Sequence, residues 1–366
     1  MSTQTTAQPT TEQVEALAGR IFMAGLEAVE LYTVHLGVQL GLYRALDDGG
    51  AQTAAELAAR TNLERRYVRE WLQSQAISGF VSIDGHDVDE DRFAIAPGVR
   101  ETLIDEVSPA FVGAIPAILP AVGGVMPELV TSFRSGERVA YSSYPQAVLV
   151  QEAMNRPAYE NSLVAEWLPQ IPEVLARLQN ESEPARVSDL CCGPGWSSIV
   201  LAEAFPHITV EGVDNDEESI SRAQHNSAAR GVSDRVRFEK VDVAAGDPDP
   251  QPRYDVAFVF EAIHDLPHPV EALAYCRRML KPGAPLIVMD ERVGEELTTP
   301  SDEVERFMAA CSVVWCTPQG HGPGSEVVGA VMRPGVLKEL ARRAGFTTIK
   351  ILPIEHPFWR FYQLRS

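Results

Sequence analysis

An α/β fold with a mostly parallel sheet is predicted for the C-terminal half of this 366-residue chain, and three observations predict it. The stretch 187–198, VSDLCCGPGWSS, runs from apolar residues into an aspartate, a turn holding Gly193 and Gly195, and residues able to open a helix. TVEGVDND follows as a second strand ending in Asp214, 21 positions after Gly193. Further runs then alternate strand-like and helical patterns. A third strand ends at Val241-Asp242-Val243, a fourth lies in YDVAFVFEAIHDLPHP, and a fifth in LKPGAPLIVMDE. Such alternation covers both faces of a parallel sheet with helices.

The preceding half reads as helical. The first 13 residues are polar, rich in Thr and Gln, and predicted to be disordered. From about Val14 to Leu46, Ile21, Ala24, Ala28, Leu31, Val34, Leu36, Leu40 and Tyr43 recur at helical spacing, until Gly41 and the run 47–50 break it. Thr53 with Glu56 forms a capping box for AAELAART, and Asn62 is predicted to cap the next helix, LERRYVREWLQSQAISG. The strands GFVSI and DRFAI, joined by an acidic turn, complete a winged helix over 14–105. Winged helices suggest DNA binding. Here Arg65, Arg66 and Arg69 are interleaved with Glu64 and Glu70, and the wing carries Asp84, Asp87, Asp89, Glu90 and Asp91, which would repel phosphates.

Residues 106–180 read as a helical cap. Its apolar stretch holds Pro109, Pro116, Pro120 and Pro127, expected to break it into pieces too short for a membrane span. Tyr141, Tyr144, Met154, Tyr159 and Trp167 supply aromatic and soft surface. The sheet domain occupies 181–366 and contains a long insertion, 292–332, expected to act as a lid. The helix RPGVLKELARRAGF then leads to TTIKILPI and PFWRFYQL, a hairpin turning at 355–357.

The formal charge of −20, with no concentrated basic patch, speaks against nucleic acid and anionic lipid as partners. No secretory signal pattern opens the chain, and no stretch is expected to cross a bilayer. Five cysteines without metal spacing suggest reduced thiols and a cytoplasmic setting.

The glycine turn lets backbone approach a ligand closely, and a carboxylate ending the second strand can accept from both hydroxyls of a ribose. NAD-binding folds share these features, but Ser198 stands where their third glycine would be. Taken in order, Asp189, the glycine turn, Asp214, the segment 241–243 and the last two strands resemble the class I S-adenosylmethionine (SAM) dependent methyltransferases, from Val187 to the C-terminus. The resemblance implies a Rossmann-like sheet with a reversed last strand and SAM as cofactor. It places Gly193 and Gly195 beneath the methionine and ribose parts, and Asp189 at the turn or the methionine ammonium. Asp214 with Asn215 falls at the ribose, Asp242 with Val243 at the adenine, and Glu261 beside the methionine tail. Cys191 replaces the family's first glycine.

The N-terminal half looks like the dimerisation module of small-molecule O-methyltransferases, which implies a homodimer. Those enzymes carry a His-Asp pair after the fourth strand, and His264-Asp265-Leu266 matches it, with leucine for tryptophan. His264 is thereby the candidate general base, and Glu291 the residue expected to orient it. Met332 falls where a second supporting carboxylate would be. His268, His321 and His356 have no matching role. Glu261, Asp290 and Glu291 could be assembled into a metal site, but no aspartate–asparagine pair completes it, and no metal is expected. The expected function is methyl transfer from SAM to a hydroxyl of a small molecule. The alternative is a SAM-binding protein of the same fold without transfer.

Overall fold

The computed structural model describes residues 8–85, 91–245 and 251–366. The start of the expected disordered segment and the wing residues Asp87, Asp89 and Glu90 lie outside the described residues. The chain divides into two compact units, Met1–Pro120 and Ala121–Ser366.

In the first unit the helical periodicity becomes one 29-residue helix, Thr11–Gln39, opened by a capping box between Thr10 and Gln13. Gly41, left-handed at φ +66°, separates it from the helix Leu42–Gly49. Thr53 and Glu56 form the expected capping box on Ala54–Thr61. Asn62 differs from expectation. It ends that helix in a left-handed conformation, and Glu64 caps Arg65–Ile77 by accepting from Arg66 N and Tyr67 N. Three residues between the helices had to serve both ends, and asparagine tolerates the left-handed region better than glutamate. Arg66 pairs with Glu70 on this helix, so part of its positive charge is neutralised. Strands β1 (Val81–Asp84) and β2 (Arg92–Ile95) form the antiparallel wing. Leu42, Leu57, Leu72 and Phe93 fill the core of this unit.

Two expectations need correction. The prolines do not break the apolar stretch, because Ile115–Ser135 is one 21-residue helix. Pro116 sits in the first turn, where no N–H is needed, while Pro120 and Pro127 each remove one interior bond without ending the helix. By length and composition, this helix and Thr11–Gln39 are both long and apolar enough to cross a membrane.

The second unit is built on a seven-stranded sheet of β3 (Arg186–Leu190), β4 (Thr209–Asp214), β5 (Val236–Lys240), β6 (Val256–Phe260), β7 (Leu286–Glu291), β8 (Thr348–Ile351) and β9 (Trp359–Arg365). Its order is β5-β4-β3-β6-β7-β9-β8, and only the pairings of β9 are antiparallel. Every residue of β6 and β7 is buried, as a sheet covered on both faces requires. Alternation sends Phe258, Ile287 and Met289 into one core and Ala257, Val259, Leu286 and Val288 into the other. The chain leaves β3 toward β4 on one side and returns as β6 on the other. Between their carboxyl ends lies the crevice where open α/β sheets bind ligands.

Candidate active site

The turn after β3 is held from beneath. Asp189 is 1% exposed, and its Oδ2 accepts from Ser197 Oγ and Ser198 Oγ, both at 2.6 Å. Burial lifts its carboxyl to about 6, against the pull of the two hydroxyls. Asp189 therefore ties the strand end to the helix Trp196–Ala204, and it does not line the cleft. Its expected contact with the methionine ammonium is corrected on this ground: the side chain is buried outside the cleft lining, with Oδ2 turned to both serines. Ser198, which breaks the dinucleotide pattern, is the second anchor.

Gly195 also lies outside the cleft lining. It starts the helix at φ +81°, packed against Phe238 and Ala223. Its expected place under the cofactor becomes a close-packing role, because the turn aims the other glycine outward. Gly193, at φ +51°, lines the cleft, and the space where a Cβ would sit is open. Its N–H donates to Asp214 Oδ2 at 2.9 Å, while Asp214 Oδ1 accepts from Asp216 N at 2.9 Å. Burial raises the Asp214 carboxyl, and these backbone bonds oppose the rise. An ionised carboxylate has about four lone-pair sites, so acceptors remain for a diol.

Asn215, Asp242, Val243 and Glu261 line the same cleft as Gly193 and Asp214. Strand β5 ends at Lys240, earlier than expected, so Asp242 sits on the loop beyond it, accepting from Ala244 N at 3.0 Å. Cys191 lines the cleft as well and holds φ +56°. Its thiol and that of Cys192 are pushed well up by burial, which removes the thiolate that redox chemistry needs. Arg138, Tyr141, Gln151, Asn155, Arg156 and Tyr159 close the cleft from the helical segment before β3. Of these only the two tyrosines stood out in the sequence. The others carry no local pattern, since a helix face is chosen by what it packs against.

Glu152 braces this wall. It accepts from Trp196 Nε1 at 2.8 Å, Arg222 Nε at 2.7 Å and Asn226 Nδ2 at 3.1 Å, joining three helices around the glycine turn.

His264 lies in the loop after β6 and is 3% exposed. Its Nδ1 stands 2.9 Å from Asp290 Oδ1. The residue expected to orient it, Glu291, does not make this contact. Successive strand residues face opposite sides, so a one-residue difference in register decides between adjacent acids. Burial disfavours the imidazolium, but the Asp290 carboxylate, helped by Cys316, outweighs it and holds His264 well above its usual value. Glu291 is itself buried, with Oε2 unpartnered in the protein. Trp359 Nε1, on β9, donates to Glu261. His356 stacks on Trp359 at 4.3 Å, burial depresses it to about 4, and it lies outside the cleft lining, as do His264, His268 and His321.

The insertion 292–332 lies over this loop. Gly329 N and Val328 N donate to the His264 carbonyl at 2.7 and 3.3 Å, and Trp315 packs on Tyr144 at 4.6 Å. Gln319 reaches the cleft. Among the described residues no three His, Cys, Asp or Glu side chains converge as a metal site.

Residues 181–342 match a methyltransferase domain family, and residues 28–97 match the Rv2258c-like winged HTH domain. Residues 181–342 of the second unit are a methyltransferase domain. A protein from Nostoc punctiforme PCC 73102 described as an O-methyltransferase shares this fold, with a TM-score of 0.69 at 20% identity over 98% of this chain and 100% of its own. Human N-acetylserotonin methyltransferase, solved in complex with SAM, gives 0.63 at 15% identity over 100% and 99%. The trans-aconitate 2-methyltransferase of Methylobacterium nodulans is 33% identical over 37% of this chain and 48% of its own length. The chain thus spans about half the length of the curated relative it matches. The methyltransferase domain's cofactor is SAM, and the cleft fits it: open space at Gly193, acceptors at Asp214, and the cations Arg138 and Arg156 in the wall.

Proposed function

We propose that this chain transfers a methyl group from SAM to a hydroxyl of a small acceptor, with His264 as general base. The observation that carries the reading is the buried pair of His264, in the loop that follows β6, and Asp290, on β7; that loop borders the cleft lined by Gly193 and Asp214 through Asp265 and Leu266. When bound, SAM supplies an electrophilic methyl on a sulfonium, so the protein's task is placement and proton removal. Gly193 and Asp214 would hold the ribose end. Arg138 or Arg156 would meet the carboxylate of the methionine part, and Asp242 would accept from the adenine amino group. Asp290 fixes the imidazole through Nδ1, Cys316 is a second hydrogen-bond partner of the ring, and Nε2 would have to exchange that environment for the acceptor's proton. The insertion 292–332, which reaches the cleft through Gln319, would limit the access of water to it. Calorimetric titration with SAM, then methyl-labelled SAM with a panel of phenols and aliphatic alcohols, tests the reading. Transfer that disappears in His264→Ala, with SAM affinity kept, supports it. Unchanged turnover in that variant removes the base assignment, and SAM binding without transfer to any acceptor favours the non-catalytic alternative.

A second copy of the chain is the partner this reading implies. Val14, Leu17, Ile21, Phe22 and Val29 on the first helix are each more than half exposed, an apolar row that a homodimer would cover. Sedimentation at a single monomer mass would contradict it.

A further inference from the structure

With Asp189 bonded to two serines behind the glycine turn, the ammonium of the cofactor's methionine part needs a different acceptor. Of the acids lining the cleft, Glu152 already bonds Trp196, Arg222 and Asn226, and Asp216 caps the helix Glu217–Ala229 through Ser219 N. Asp214 and Asp242 belong to the ribose and adenine ends. Glu261 and Asp265 remain. Strands β3 and β6 pair in parallel with Leu190 opposite Val259, so Glu261 leaves the sheet level with Cys192, beside Gly193. Asp265 lies farther along the loop, where Gly320 of the insertion packs against its carbonyl.

Glu261 is held in one direction. Its backbone is left-handed at φ +51°, and its N–H donates to Met289 O at 2.8 Å. Its Oε1 accepts from Trp359 Nε1. That buried indole opens β9, opposite Glu291 of β7. His356 stacks on it at 4.3 Å, and Trp167 meets it edge-on at 5.7 Å. His356 is itself fixed, because its Nδ1 accepts from Phe358 N and Trp359 N, both at 3.2 Å. An indole packed in this way offers its N–H already oriented. The bond also favours the ionised carboxylate, against the burial that lifts Glu261 to about 7. An ionised carboxylate has about four lone-pair sites, so acceptors remain for a ligand.

We propose that Trp359 is a positioning residue that aims the Glu261 carboxylate at the protonated amino group of the cofactor's methionine part, so that the reversed strand β9 takes part in cofactor recognition. The proposal rests on the SAM reading of the cleft and deepens it, by assigning the ammonium to Glu261 and the aim of Glu261 to a residue far along the chain.

Calorimetry at about pH 7 tests this without knowledge of the acceptor, because the ligand's amino group titrates near 8 and is then cationic. S-adenosylhomocysteine, the demethylated product, keeps the amino-acid tail, and 5′-methylthioadenosine lacks it. Both are titrated into the full chain and its variants. Trp359→Phe keeps an aromatic ring and removes the N–H. It should weaken S-adenosylhomocysteine roughly tenfold, as loss of a hydrogen bond to a charged group does, and leave 5′-methylthioadenosine within about twofold. Glu261→Gln should weaken S-adenosylhomocysteine at least as much, and adding Trp359→Phe to it should cost nothing further. His356→Ala, at the hairpin turn, loosens the indole without removing it and serves if Trp359→Phe does not fold. It should weaken S-adenosylhomocysteine roughly threefold, and only where Glu261 is present. A tryptophan that merely supports the fold would weaken both ligands alike. Equal losses for the two ligands, losses that add in the double variant, or undiminished binding in Trp359→Phe overturn the proposal and leave the cofactor reading standing. If neither SAM nor S-adenosylhomocysteine binds the wild-type chain, the cofactor reading fails and the proposal falls with it.

Discussion

Alanine at two neighbouring glycines should damage two different properties. Gly193 and Gly195 share one turn and are both left-handed, at φ +51° and +81°. A Cβ on Gly195 would lie 2.5 Å from Phe238 Cζ and 2.9 Å from Ala223 Cβ. Both neighbours are buried in the core that seats the helix on the sheet, so neither can withdraw freely. Left-handed strain costs about 1–2 kcal/mol for a residue with a Cβ, and overpacking costs about 1–3 kcal/mol more. Gly195→Ala should therefore lose about 2–5 kcal/mol. At about 2–4 °C per kcal/mol for a domain of this size, that is a fall of roughly 4–20 °C in Tm. On Gly193 the added Cβ meets nothing within 4 Å and points into the cleft. Only the strain remains, worth roughly 2–8 °C, while SAM affinity should drop at least about tenfold because the methyl occupies ligand space. Thermal melts of both variants and calorimetric SAM titrations measure the two effects. A Gly195 variant that melts like the wild type, or a Gly193 variant that binds SAM undiminished, would refute the division of labour.

Two further outcomes follow from the same geometry. Asp290 holds His264 above its usual value against burial, so the neutral base appears only as the pH climbs through that raised value, and activity should rise along an alkaline-shifted limb. Asp290→Asn leaves burial alone, and the limb should move to lower pH while the maximal rate falls by about 100-fold or more, since the imidazole loses its orientation. A pH–rate profile unchanged in this variant would disconnect the pair. The sign for stability is opposite. The ion pair's contribution is complete below the unfolded histidine value of about 6.5 and is lost as the pH rises through the folded one. At Cys191 the left-handed φ of +56° imposes strain that glycine does not feel, so Cys191→Gly should keep SAM binding and change stability by no more than about 1 kcal/mol, in the favourable direction. A destabilised Cys191→Gly protein would show that the side chain's packing outweighs its backbone strain.

Much of the architecture was legible because local chemistry repeats it. The alternation of strands and helices, the glycine turn and the carboxylate at the end of β4 are patterns within short stretches, and the Thr53–Glu56 box is a contact across three residues. Asn62 was misplaced because two cap positions lie so close together that composition alone does not rank them. The helix Ile115–Ser135 was misjudged because proline's cost is local, while the gain that offsets it is the burial of Val125 and Leu129 in tertiary contacts.

The amino-acid order by itself determined the class of fold, the position of the cofactor turn, Asp214 beside it, and the histidine after the fourth strand. Only the tertiary structure decided which of two adjacent acids supports that histidine, that Asp189 bonds two serines, and that Trp359 reaches Glu261. Those outcomes depend on strand register and on loops brought together from distant parts of the chain. No short-range pattern encodes a contact between residue 261 and residue 359; the sheet order creates it by inserting β9 beside β7.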